Sequence, residues 1–272
     1  MSTILFWALV IGIPTAAVVA LFAPSWIGQT SEAPSMKAAI VDQLALSEPN
    51  PAFVQSATQV LQAAGYTVDY YPPEQVTVDF YRNLPAQKYG LILFRVHTAR
   101  FTEDSLKLAD PERRQTLLDA FDHYVFLFTS EIYDQSKYPD ERQKLQLFAV
   151  HYLSGGDQRY FGITPKFIES AMKGGFDNAT IVMMGCDGLL FDNTAQTLVN
   201  KGAKAVIGWD SLVSSAHTDT ATEHLLQHLI TERLPLGQAV KTTMTEVGSE
   251  PDYNNSLRFY PPSANSSLVL SN

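Results

Sequence analysis

Two side chains in this sequence sit where a nucleophile and its proton partner belong. Cys186, the single cysteine of the 272-residue chain, follows the apolar run TIVMMG, and His97 follows the apolar run LILFRV. Short apolar runs of this kind read as buried strands. In open parallel α/β sheets the working residues gather just beyond the carboxyl ends of strands. If the two strands are neighbours, an imidazole and a thiol project from one sheet edge. A thiol attacks a carbonyl as thiolate, and a nearby imidazole or helix N-terminus lowers its pKa. A helix following Asp187-Gly188 would supply that positive end, and backbone N–H groups at Thr98 and Cys186 would hold the oxyanion. The bland alternatives are a buried cysteine acting as a small hydrophobe and a capping or core histidine.

The elements that must position these residues alternate along the chain. Strands are predicted over 37–41, 66–71, 91–96, 180–185 and 205–208, with a possible return to the sheet edge at 257–260. Helices are predicted over 53–64, 76–84, 193–201, 218–233 and 238–247, the penultimate one capped by Thr218 and Asp219. Strands alternating with helices mean crossover connections and a mainly parallel sheet of about six strands, covered on both faces. Residues 101–179 break the alternation with a charged helix over 110–121, an apolar run at 124–128 and the segment SGGDQRYFG. They read as an insertion within a domain spanning 37–250, and 251–272 as a tail or edge strand.

Composition bounds the function. With 19 Lys+Arg against 28 Asp+Glu the net charge is −9, and 46% of residues are hydrophobic. Disorder is excluded as the main state, and the acidic balance argues against a nucleic-acid partner. One cysteine excludes an intrachain disulfide and a cysteine-based zinc cage. No glycine-rich phosphate fingerprint occurs, so nucleotide binding has no support, and no cofactor or metal is called for.

Residues 4–23 (ILFWALVIGIPTAAVVALFA) carry no charge, and a helix of that length spans the roughly 30 Å hydrocarbon layer. The run reads as a single-pass membrane anchor within 1–24, followed by a linker over 25–36 and an extracytoplasmic domain. A cleaved signal peptide and a core helix are the alternatives; the absence of Lys or Arg before the run speaks against the former.

The residues around His97 and Cys186 resemble the caspase-like fold of cysteine peptidases, the group that includes caspases, legumains, gingipains and CHAT domains. The resemblance covers roughly 37–248. Its elements are a strand ending in His, a later strand ending in Gly185-Cys186-Asp187-Gly188, and the block KGAKAVIGWDSLVSSAHTDTATEHLLQHL, which looks like the CHAT pattern at Gly202, Ala203, Trp209 and Asp219. The resemblance implies a three-layer α/β sandwich and a His–Cys dyad cleaving peptide bonds through an acyl-thioester. It implies a protein or peptide substrate, and calcium as a cofactor in some members. Thr98 stands where members usually carry Gly, and Met184-Gly185-Cys186-Asp187-Gly188 stands where caspases carry Q-A-C-x-G. The alternative function is a tethered, non-catalytic caspase-like module for recognition or assembly.

Further residues have addresses worth weighing. Asp42 and Asp210 lie at strand ends and would line a substrate pocket favouring Lys or Arg, or serve as ordinary loop carboxylates. Trp209 reads as a pocket wall or as core. Asp219 reads as a helix N-cap. His217 is a rival base for a glutaminase-like thiol enzyme. His224 and His228 share a helix face at metal-pair spacing, but with no HExxH glutamate and no visible third ligand they read as solvent-facing surface.

Overall fold

A computed structural model describes residues 36–100, 111–121, 123–152 and 158–267. The expected anchor at 4–23 lies outside these residues; among the described residues no helix is long and apolar enough to cross a membrane. In chain order the strands are β1 (Lys37–Asp42), β2 (Thr67–Tyr71), β3 (Leu91–Arg95), β4 (Thr98–Ala99), β5 (Phe126–Ile132), β6 (Leu147–Val150), β7 (Tyr160–Ile163), β8 (Thr180–Met183), β9 (Ala205–Trp209) and β10 (Leu257–Tyr260). The helices are α1 (Pro51–Ala63), α2 (Val78–Asn83), α3 (Pro111–Phe121), α4 (Pro139–Gln143), α5 (Pro165–Ser170), α6 (Asn193–Asn200), α7 (Ser215–Leu226) and α8 (Leu236–Val247).

Six strands form the main sheet in the order β2-β1-β3-β8-β9-β10, all parallel except β10, which runs antiparallel to β9. The protein is thus α/β with a mostly parallel six-stranded sheet. Strands β3, β8 and β9 are buried along their whole length, and β1 everywhere but at Lys37, as strands covered on both faces must be. Ile40, Leu93, Val182 and Ile207 point to one face, against α1, α7 and α8. Val41, Phe94, Ile181 and Val206 point to the other, against α2, α5 and α6. Each such side chain contributes about 1.5–3 kcal/mol on burial. Helix α1 shows the local logic: the Asn50 side chain caps the Phe53 amide, Pro51 opens the first turn, and Phe53, Ala57 and Leu61 line the buried stripe. Gly65, at φ +91, lets the chain turn back into β2.

The insertion holds a second, antiparallel sheet in the order β4-β5-β7-β6. It begins earlier than expected, at Thr98, directly after His97. Its inner residues Leu127, Phe161 and Ile163 join the core on the α2/α5/α6 face of the main sheet. The chain leaves β1 toward α1 on one face and leaves β3 toward the second sheet on the other. The carboxyl ends of β1 and β3 therefore flank a topological switch point, the place where such sheets open a crevice.

One buried charge cluster fastens that switch point. The Arg95 guanidinium, 1% exposed, donates to Asp42 Oδ1 at 2.8 Å and to both Asp219 oxygens at 2.8 Å, and reaches the Glu48 carbonyl at 3.0 Å. Tyr70 Oη donates to Asp42 Oδ2 at 3.2 Å, and Asn50 Nδ2 donates to Asp219 Oδ2, which it shares with Arg95, at 2.9 Å. Burial works against the Arg95 charge, but the Asp219 and Asp42 carboxylates outweigh it and raise its pKa. Asp219 is accordingly not the helix N-cap expected of it. Ser214 caps α7 through the His217 amide, and Asp219 sits one turn inside the helix. Replacing Arg95 with Met should strand two buried carboxylates and lower the unfolding free energy by about 3–5 kcal/mol. Urea denaturation measures this, and a loss under about 1 kcal/mol, the scale of an exposed pair, would show that the cluster is not a structural clamp.

Candidate active site

His97 lies two residues beyond Arg95, on the rim of the switch point. Its backbone N–H donates to Gln43 Oε1 at 2.9 Å, and its carbonyl accepts from Phe128 N at 3.0 Å. The imidazole Nε2 lies 2.9 Å from Ser47 Oγ. The ring packs against Tyr152 and Phe128, with centroids 4.6 and 5.8 Å away, and those two aromatics stack on each other. Gln43 ties the set together by donating from Nε2 to Tyr152 Oη at 2.7 Å. Burial lowers the His97 pKa to about 4, against a raising influence of Glu48 and with a smaller lowering one from Arg95. At neutral pH the imidazole is uncharged.

Cys186 lies on the neighbouring rim segment. Its thiol donates to the Val213 carbonyl at 3.5 Å and packs against the cluster that holds Trp209. Burial pushes its pKa up, and the Asp187 carboxylate adds to this. The expected helix N-terminus does not help, because α6 starts only at Asn193, after a stretch of turns. In the resting protein the thiol is protonated.

The two rim segments touch. A Cβ on Gly185 would lie 2.3 Å from the Val96 carbonyl oxygen and 2.9 Å from Thr98 Cγ2. The Thr98 hydroxyl donates to the Cys186 carbonyl, and Arg100 Nε pairs with Asp187 Oδ2 at 3.0 Å. The structure thus brings the backbones at His97-Thr98 and Gly185-Cys186 side by side, while the imidazole and the thiol each hold a different partner.

The remaining expected residues fall elsewhere. Asp42, 1% exposed, is bound by Arg95 and Tyr70. It forms part of the wall of a mostly apolar cleft of about 530 Å³ between α1, Tyr70 and the loop after β1. Trp209 is buried, with Nε1 donating to Thr218 Oγ1 at 2.9 Å and His217 against its ring. Asp210 accepts from Ser256 N at 2.7 Å and so holds β10 in place. His217 Nε2 contacts the Gly248 carbonyl. The sequence reading missed Ser47, Gln43 and Tyr152, the polar partners of His97 and its ring. Among the described residues, His224, His228 and Glu246 form the one cluster of three or more metal-binding side chains. Its nitrogen-rich donor set does not suit calcium, so no role for that ion is derived.

Two measurements check this geometry. Gly185→Ala should cost about 1–3 kcal/mol of stability, because the added methyl meets backbone that cannot rotate away; a change under about 0.5 kcal/mol, the range of ordinary surface substitutions, would mean the rim segments do not touch. For His97, the unfolded state binds its proton below pH 6.5 and the folded state only near 4. Stability therefore rises with pH across that window, by at most about 1.4 kcal/mol per pH unit, and is flat with respect to this group outside it. His97→Gln should flatten the slope between pH 4 and 6.5, and an unchanged slope would place the imidazole in water.

No family model matches the chain, and no curated protein matches it.

Proposed function

We propose that the protein is a cysteine endopeptidase of caspase-like fold, with Cys186 as nucleophile and His97 as proton carrier. The observation that carries the reading is the strand register. Phe94 of β3 pairs with Met183 of β8 in parallel, and His97 and Cys186 each lie three residues beyond that pair, on touching rim segments. The mostly parallel six-stranded sheet with helices on both faces, and a His-bearing strand preceding a Cys-bearing neighbour, fit the resemblance. In this reading residues 4–23 tether the domain to a membrane on its extracytoplasmic side.

The chemistry follows from the two groups. The thiol proton passes to the His97 imidazole as Sγ forms a bond to the peptide carbonyl carbon, and backbone N–H groups on the rim hold the oxyanion. The imidazolium then protonates the amine as the C–N bond breaks, leaving a thioester. Water attacks the thioester, giving one proton to His97, and the acid product departs as the thiol reforms. In the free protein the imidazole is held by Ser47 and the thiol by the Val213 carbonyl, so dyad formation accompanies substrate binding. Such loose geometry is common before a substrate is present.

That same separation favours a second reading, a non-catalytic module for recognition or assembly, in which Cys186 is a packing residue. A library of fluorogenic peptide amides separates the two. The peptidase reading expects turnover by the full chain that is lost, by at least about a thousandfold, in Cys186→Ala and in His97→Ala. It also expects covalent capture of Cys186 by a peptide carrying a thiol-reactive end group. No hydrolysis of any peptide, or equal hydrolysis by Cys186→Ala, sinks the peptidase and leaves the module.

A further inference from the structure

We propose that His224, His228 and Glu246 form a binding site for a first-row divalent cation, Zn²⁺ foremost, which clips α7 and its continuation to α8. This proposal is independent of the peptidase reading. His224 and His228 are one turn apart, and Glu246 comes from the facing helix α8. One ring nitrogen of each histidine and a Glu246 oxygen all lie within 4.8 Å of one another. Glu246 Oε2 is 2.7 Å from His224 Nδ1 and 2.9 Å from His228 Nε2. A tetrahedral Zn²⁺ with bonds of about 2.0–2.2 Å sets its ligand atoms about 3.3 Å apart. An ion therefore replaces the two hydrogen bonds, each Glu246 separation lengthening by about half an ångström while the two histidine nitrogens close to the same spacing.

The surroundings complete the arrangement. His228 Nδ1 lies 3.0 Å from Glu232 Oε2. A carboxylate on the far nitrogen of a ligating histidine fixes its tautomer, turns the Nε2 lone pair to the metal and raises its basicity. His228 is 5% exposed and so anchored, whereas His224 and Glu246 are 44% and 41% exposed, leaving a path for the ion and a fourth position for water. His228 also lies within a π-helical turn, Gln227–Thr231, that prolongs α7. Such turns re-aim side chains and recur at functional sites. Two imidazoles and one carboxylate are the donor set that Zn²⁺, Co²⁺ and Ni²⁺ accept and Ca²⁺ and Mg²⁺ do not favour.

Calorimetric titration of the full chain with Zn²⁺, and the visible absorption of the Co²⁺ form, test the proposal. One ion per chain is expected, with tetrahedral Co²⁺ bands and a melting temperature that rises with added Zn²⁺. His224→Ala and Glu246→Gln should each weaken binding by more than about a hundredfold, and Glu232→Gln by about 10–100-fold. Cys186→Ala should bind as the parent does, which excludes the thiol as the ligand. A parent chain that takes up no Zn²⁺ or Co²⁺, or uptake that survives both His224→Ala and Glu246→Gln, overturns the proposal and leaves a hydrogen-bonded helix clamp.

Discussion

The ionic cluster of Arg95 with Asp42 and Asp219 is the constraint on which the rim depends. It joins the end of β1, the end of β3 and the second turn of α7, segments separated by 53 and 124 residues in the chain. Taking three charges out of water costs several kcal/mol per ion, and the cluster is tolerable only because its lone pairs are so fully occupied. The planar guanidinium suits this task, since its fork meets one carboxylate with two parallel bonds and still serves a second carboxylate and a carbonyl. Its consequence is positional. The Glu48 carbonyl on Arg95 and the Asp42 side chain on the Ala45 amide hold the loop after β1. That loop carries Gln43 and Ser47, and both meet His97. A hydrophobic isostere of the cluster would fill the same space but would not specify where that loop lies.

Much of the sheet was legible because parallel strands buried on both faces must be short continuous apolar runs, and LILFRV, TIVMMG and AVIG are such runs. Helix α1 was legible through its apolar spacing and Gly65. What escaped the sequence is what depends on partners far along the chain. Asp219 looks like a cap beside Thr218, and nothing local shows that a buried arginine 124 residues earlier claims it. Strand β5 pairs with β7 and not with β6, the next strand along the chain, and that pairing has no local signature. The hydrogen-bond partners of His97 come from Gln43 and Ser47 and its ring contact from Tyr152, segments distant in sequence. For the same reason the histidine pair of α7 and its continuation reads as solvent-facing surface, whereas His228 is buried and Glu246 of a different helix reaches both rings.

The two halves of the rim differ in how they hold their chemistry. Around His97 the second sheet contributes an aromatic wall, and the first loop contributes hydrogen bonds that fix backbone and ring together. Around Cys186 the packing is that of the core face beneath α7, with Trp209 sealed by its bond to Thr218. A half-buried, hydrogen-bonded imidazole thus lies on the rim next to a thiol of ordinary packing.

Magnitudes show what turning that resting state into a nucleophile demands. The imidazole binds its proton near pH 4, and the thiol releases its own above the ordinary value of 9.0. Burial favours the neutral form of each group, so moving the proton from the thiol to the imidazole is uphill while the two act independently. Two opposite charges about 4 Å apart attract by roughly 4 kcal/mol at the effective dielectric of a protein surface. Bringing the imidazole and the sulfur together therefore offsets part of that cost. Each group gives up one hydrogen bond, worth about 1 kcal/mol net. The rest falls to whatever fills the crevice. A substrate that drives water from the rim and places its carbonyl on the backbone donors releases such energy as the oxyanion forms. Under the proposed function the neutral pair is the resting state, and the charged pair belongs to the complex with a bound peptide.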